Sequence, residues 1–296
     1  MYDISCSIVL FHNPVEEVRT VVECFMKSTK KIKLYLVDNS QNDKLRYQFL
    51  SPDIEYIFTG KNIGFGAGHN IAMRKAIGNS HYHLVLNPDI EFKTEILNEL
   101  FDFMEQNRGV GSVMPKVLYK NGDLQYLCKR LPSPVDLFLR RFLPGPLKLI
   151  MSKFLQHYEL RDKDYNAIMD VPNLSGCFMF IRTEVLKSTG LFDERYFLYM
   201  EDTDLCRRIN KYYRTVYYPL VSIIHGYSKA SYKTFKLTSF HLKSSVKYFN
   251  KWGWLDDNNR SYINSLISRS YLKPQLKFKG GQNVIIQPLQ HSITAS

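Results

Sequence analysis

Three carboxylates fall within four positions in Glu201-Asp202-Thr-Asp204, directly after an aromatic run, Tyr196-Phe-Leu-Tyr199, and just before Arg207-Arg208. Acids at the start of a helix are favoured by its dipole, and Asp204 is spaced for an i,i+4 pair with Arg208. That accounts for Asp204, but Glu201 and Asp202 follow a stretch too aromatic for ordinary surface charge. A carboxylate in a partly dry pocket is suited to take the proton of a hydroxyl nucleophile. Another acid, Asp89, follows an apolar run in Leu86-Asn87-Pro88-Asp89, where the proline stiffens the turn. Hard divalent cations are often held by only one or two carboxylates together with substrate phosphates. His225, after Ile223-Ile224, adds an imidazole that is either structural or a metal ligand.

Two more clusters have the chemistry of binding. Asp38-Asn39-Ser40 follows the apolar Leu34-Tyr-Leu-Val37, and an aspartate there can accept hydrogen bonds from a ribose hydroxyl or a base N–H. The same triplet is also a turn-forming Asx cluster. Lys61-Asn62-Ile-Gly64-Phe-Gly66-Ala-Gly68-His-Asn70 is glycine-rich and opens a helix. Small residues let a phosphate or sugar approach the backbone, and a helix N-terminus favours an anion. A tight strand-to-helix connection would use the same glycines.

The elements that must carry these residues alternate. Short apolar runs at Ser7–Phe11, Leu34–Val37, Ile54–Phe58 and His83–Leu86 read as buried strands, with helical spacing from Val15 to Met26, Ala67 to Ile77 and Thr94 to Gln106. Such alternation predicts a mainly parallel sheet with helices on both faces, and ligands bind beyond the carboxyl ends of its strands. Polar clusters follow three successive strands at that edge. Residues 125–165 break the pattern: Leu137–Leu143 and Leu147–Leu155 read as two short amphipathic helices around Pro144-Gly-Pro146. Strand signals return at Cys177–Ile181, and beyond Phe235 the pattern is helical.

Composition narrows the partners. Lys+Arg 40 against Asp+Glu 28 gives a net charge of +12. Between Arg207 and Lys279 there are fifteen Lys/Arg and two acids, so the excess lies in the C-terminal third. Such a field attracts anionic membrane, nucleic acid or phosphorylated ligands. Five scattered cysteines without a C-x-x-C pair suggest neither a disulfide framework nor a zinc site, and predict a reducing cytoplasm. No apolar run approaches the ~20 residues that span a bilayer.

Taken in order, Val37-Asp38-Asn39-Ser40, Asn62–Asn70, Leu86-Asn-Pro-Asp89, Ser175-Gly-Cys177, Gly190-Leu-Phe-Asp193-Glu194, Glu201–Arg207 and His225-Gly resemble the motifs of the family 2 nucleotide-sugar glycosyltransferases, closest to the bacterial rhamnosyltransferase-like branch. The resemblance spans about residues 5–230. It implies a GT-A, Rossmann-like α/β domain over 1–233, with a helical acceptor-side insert at about 125–165 and a basic helical extension over 234–296. It implies Asp202 as catalytic base with Glu201 orienting it, or the two in exchanged roles. Asp38, Asn39, Asn62, Gly64, Gly66, Asn70, Asn87, Asp89 and Arg207 would bind the donor, and Asp89 with His225 would hold Mn²⁺ or Mg²⁺. Asn87 departs from the family's Asp-x-Asp motif and leaves one carboxylate where two are usual. The implied activity is inverting transfer of a single sugar, L-rhamnose from dTDP or a hexose from UDP. The acceptor would be a polyprenyl-diphosphate-linked saccharide at the cytoplasmic face of an anionic membrane, in surface polysaccharide or O-antigen synthesis. A nucleotidyltransferase would carry a glycine-rich phosphate loop near the N-terminus, and residues 8–20 contain no glycine. A non-catalytic sugar- or nucleotide-binding protein would have no need of Asp89, Glu201, Asp202 and His225 together. Nucleic acid is not the expected partner.

Overall fold

A computed structural model describes residues 1–137, 151–226 and 235–267, and the backbone of short strands at 271–272, 276–279 and 282–285. A ten-stranded sheet forms its centre. β1 (Tyr2–Leu10) lies between β2 (Ile32–Asp38) and β4 (Ser80–Leu86), with β3 (Ile54–Phe58) beyond β2, all parallel. α1 (Val15–Met26) and α2 (Phe65–Ala76) cover this half, and α3 (Glu95–Gln106) touches it at Tyr82, through Phe101 and Glu105, on its way across the rest of the sheet. Alternate residues of β1 serve the two faces. Ile4, Cys6, Ile8 and Leu10 join the main core with Val18, Val22 and Phe25 of α1, while Val9 packs with Val37 and Ala72 on the α2 side. Each such aliphatic or phenyl side chain contributes about 1.5–3 kcal/mol by leaving water. Buried Ser5 and Ser7 are satisfied by His83 at 2.8 Å each, and Ser7 also by His69 at 2.7 Å.

The expected parallel order holds up to β4, where the sheet becomes mixed. β8 (Phe178–Arg182) pairs antiparallel with both β4 and β6 (Val110–Leu118). β6 is parallel to β9 (Arg214–His225), which pairs antiparallel with β5 (Ile90–Glu91) and β7 (Ile168–Asp170). Because β8 runs backwards, its first residues lie at the same edge as the last residues of β4, and the Asn87 N–H donates to the Cys177 carbonyl at 2.9 Å.

Within the insert, α4 (Ser152–Tyr158) is helical as expected, and residues 138–150 of the stretch Leu137–Leu155 lie outside the described residues. α5 (Thr183–Thr189) and α6 (Glu201–Ile209) follow β8. The helical pattern expected beyond Phe235 is realised as α7 (Phe235–Trp252) and α8 (Asn258–Leu266). It then ends: β10 (Tyr271–Leu272) joins β7, and β11 (Leu276–Lys279) pairs with β12 (Gln282–Ile285). Among the described residues, no helix is long and apolar enough to cross a membrane.

Candidate active site

The edge where β4 ends, β8 begins and α6 starts opens onto a cleft of about 950 Å³. Asn87, Glu201, Asp202 and His225 line it, with Phe65, Gly176, Tyr126 and His241. Segments more than a hundred residues apart in sequence therefore share one cavity. Asp89 stands behind His225, with its Oδ1 3.4 Å from His225 Nε2.

Asp202 presents a carboxylate held on both oxygens. The Gly176 N–H donates to Oδ2 at 3.0 Å and the Thr203 N–H to Oδ1 at 2.7 Å. The glycine lets the backbone come this close: a Cβ on residue 176 would meet the Phe65 ring at 3.3 Å and Asp202 Cβ at 3.4 Å, so the ring would have to give by a few tenths of an ångström. Glu201 is 5% exposed, and its Oε2 has no hydrogen-bond partner. Burial, reinforced by the charge of Asp202, pushes its carboxyl up to about 8. The two neighbouring acids thus have separate chemistry: Asp202 is hydrogen-bonded and open to the cleft, whereas Glu201 is a buried proton carrier at neutral pH. The third acid is structural. Fully buried Asp204 is bonded by Arg208 at 2.8 Å, Trp252 Nε1 at 2.8 Å and Lys251 at 2.7 Å.

The backbone entering α6 is unusual. Tyr199 and Met200 are consecutive non-glycine residues in the left-handed region, at φ +69° and +70°. Each such residue costs on the order of 1–3 kcal/mol and persists only where its surroundings impose it. Here they do, because α7 lies across the segment. Ser244 donates to the Leu198 carbonyl at 2.9 Å, Phe240 packs on Phe197 and His241 on Tyr199. Phe65 N–H donates to the Phe197 carbonyl at 3.0 Å, tying α2 to the same segment.

On the opposite side, His225 ends β9. Gln125 donates through Nε2 to the His225 carbonyl at 3.0 Å, which leaves its Oε1 to accept from His225 Nδ1 at 3.0 Å. With the proton of the neutral ring placed on Nδ1, the Nε2 lone pair faces Asp89. In the protonated ring Nε2–H donates to Asp89 instead: burial alone would raise the Asp89 carboxyl, but that hydrogen bond and charge outweigh it and hold it below the ordinary carboxylate range. Two electron-pair donors facing each other, one oriented from behind, suit a single divalent cation with room for substrate oxygens. Asn87, 3.5 Å from Nε2, takes the place of a second carboxylate. Among the described residues no group of three or more His, Cys, Asp or Glu could hold a metal.

Several expected donor-binding residues are engaged within the protein. Asp38 ends β2, two strands from β4, outside the cleft; its carboxylate accepts from Tyr56 OH and, at 2.8 Å, from Ser40 N–H. Asn39 holds the Gly64 carbonyl at 3.1 Å. Asn62 accepts from Gly64 N–H at 3.0 Å, closing the turn before α2. Gly64, at φ +96°, lies so close to Phe197 that a Cβ would meet its carbonyl at 2.5 Å. Gly66 packs against Phe192, and Asn70 is a latch on the Phe192 backbone at 2.8 and 3.0 Å. Arg207 is a correction. Five residues turn an α-helix by about 140°, so it points away from the face that presents Asp202. It forms a buried bidentate pair with Asp257 at 2.5 and 2.7 Å, stacked on Trp252.

Sequence reasoning assigned no role to Gln125, to the Gly176 N–H or to the contacts of Trp252 and Asp257. Only Gly176 carried a signal, as part of Ser175-Gly-Cys177; the others are ordinary residues made important by distant neighbours.

Comparison with known proteins extends this picture. The profile "Glycosyl transferase family 2" matches residues 6–190. The hexosyltransferase Agl10 of low-salt glycan biosynthesis in Haloferax volcanii is 26% identical over 209 residues; the match covers 69% of this chain and 61% of that protein, under two thirds of its length. Rhamnosyltransferase WbbL of Escherichia coli is 27% identical over 270 residues, covering 88% of this chain and 97% of WbbL. The N-acetylglucosaminyl-diphospho-decaprenol L-rhamnosyltransferase of Mycobacterium tuberculosis is 22% identical over 243 residues, 76% of each chain. Among solved structures, GalNAc-T7 with UDP, GalNAc and Mn²⁺ superposes with a TM-score of 0.60 at 16% identity, covering 88% of this chain and 49% of that one. Mannosyltransferase PcManGT from Pyrobaculum calidifontis, with GDP-Man and Mn²⁺, gives 0.55 at 15% identity, covering 90% and 73%. These likenesses show a GT-A fold. With well over half of its length matched by the family profile, the chain belongs to glycosyl transferase family 2.

Proposed function

We propose that this chain is an inverting, metal-dependent glycosyltransferase that moves a single sugar from a nucleoside diphosphate to a hydroxyl of a lipid-linked saccharide. The observation that carries the reading is the pairing of Asp202, in the cleft, with the Asp89–His225 site at its edge. Asp202 takes the proton of the acceptor hydroxyl while that oxygen bonds to the anomeric carbon. The bond from that carbon to the donor diphosphate breaks on the opposite face, which inverts the centre. Glu201, buried and neutral, leaves the negative charge on Asp202. A divalent cation held by Asp89 and His225 would supply positive charge to the departing diphosphate.

The names of the Escherichia coli and Mycobacterium tuberculosis relatives support L-rhamnose as the sugar, and the latter name supports a polyprenyl-diphosphate-linked acceptor. The Haloferax volcanii name, a hexosyltransferase, favours the alternative of a hexose donor. Asp38 and Tyr56 would shape the nucleoside end of the site. The extension from residue 234 would complete the catalytic domain over 1–233 as a packed support, since α7 and α8 supply contacts that α6 lacks on its own.

The test is incubation with dTDP- and UDP-sugars and a lipid-linked saccharide, following nucleotide release and reading the product's anomeric configuration by NMR. Metal-dependent release with an inverted product is expected, suppressed by EDTA and restored by Mn²⁺ or Mg²⁺. Full turnover in chelator would remove the metal, and a retained configuration would remove Asp202 from its role.

A further inference from the structure

α7 has two working edges. One faces inward, where His241 lines the cleft and Ser244 and Tyr248 are buried. The other carries Phe235, Leu242 and Val246, spaced by seven and four residues and so on one stripe of the helix, which closes at Phe249, buried beside Trp254. Burying such side chains would be favourable, yet Phe235 is 91% exposed and Leu242 and Val246 are nearly half exposed. Just past the helix, Trp254 and Leu255 are also open to solvent, Leu255 at 85%. Lys236 and Lys243 flank the stripe, and no Asp or Glu occurs from Phe235 to Leu255.

From this face we infer a docking surface for an anionic lipid bilayer. The stripe runs along a convex helix about 27 Å long, a shape that lies on a plane. An apolar row edged by lysines and ending in a tryptophan is the pattern of a helix seated at the headgroup boundary. A second copy of this chain is a poorer occupant, because a two-fold contact would set Lys236 and Lys243 near their own counterparts. The surface deepens the proposed function: the helix that would rest on lipid also walls the cleft, so a lipid-anchored acceptor would reach Asp202 without leaving the membrane. The inference itself stands on the composition and exposure of α7, and its test uses no sugar, so it fails separately from the transferase reading.

The experiment is sedimentation of the full chain with phosphatidylcholine vesicles, with and without phosphatidylglycerol. Binding to the anionic vesicles alone, released by high salt, is expected. Lys236→Gln with Lys243→Gln should weaken it roughly thirtyfold, from about 1 kcal/mol per basic residue at the surface. Leu242→Asp with Val246→Asp should abolish it, with melting temperature and circular dichroism retained. Absence of wild-type binding at low salt would overturn the inference, as would wild-type binding by both folded variants. A dimer in light scattering that these substitutions convert to monomer would give the face to a second copy instead.

Discussion

The sheet edge beyond β2 and the cleft two strands away are built differently. At the end of β2, near neighbours in sequence and sheet hold one another: Asn39 grips Gly64, Thr59 bonds the Asp38 carbonyl, and Asn62 closes its own turn. On the side of Glu201 and Asp202, the anchors come from far along the chain. Ser244, Trp252 and Asp257 reach the segment across 46, 48 and 50 residues, and the backbone they restrain is left-handed at two successive positions. A sheet edge pre-arranges polar groups through local pairing, whereas the segment that carries Asp202 is anchored largely by tertiary contacts. Its geometry is correspondingly open to substitutions far from the cleft.

Five substitutions would break or sharpen that contrast. The largest effect is expected from Asp257→Ala, which leaves the Arg207 guanidinium buried without its partner; the cost should be about 3–5 kcal/mol in urea unfolding. Asn39→Ala, at the end of β2, should cost only about 1–3 kcal/mol, and equal losses would erase the distinction. Asp202→Asn keeps the fold but should lower kcat at least ~10²-fold; turnover within a few-fold of wild type would end its candidacy as base. Gln125→Leu frees His225 from its orienting hydrogen bond and should weaken the apparent Mn²⁺ affinity about 10- to 100-fold, read by metal titration of donor turnover. The last effect is one of pH. Glu201 is pushed from an ordinary 4.5 up to about 8 in the folded protein, so its contribution to stability is complete below 4.5 and is lost as pH rises through about 8. Glu201→Gln should remove that decline, and parallel stability curves for variant and wild type would show that the carboxyl is not buried as described.

Legibility followed the same division. Strand-end clusters announce themselves, because an apolar run followed by Asp-Asn or Asn-Pro-Asp marks both the strand and its edge. Asp204 with Arg208 was readable as an i,i+4 pair. Asn70 and Gly66 looked like ligand contacts because tight packing and close ligand approach call for the same residues. The direction of β8 was hidden, since Phe178-Met-Phe-Ile181 is equally apolar read either way. The roles of Gln125 and Asp257 depend on partners 100 and 50 residues away, which no local pattern encodes.

The reversed course of β8 reaches beyond the site it helps to form. The chain leaves the sheet at the end of β6 and re-enters it at the start of β8 on a single rim; of the described residues between Tyr119 and Cys177, those of the short β7 rejoin the sheet, and Cys128, Leu160, Tyr165 and Leu174 pack into the main core. A segment tethered in this way can be lengthened, shortened or exchanged between those anchors without threading the core. Relatives could therefore change the molecules they glycosylate by rewriting this one overhang while the strands beneath stay as they are.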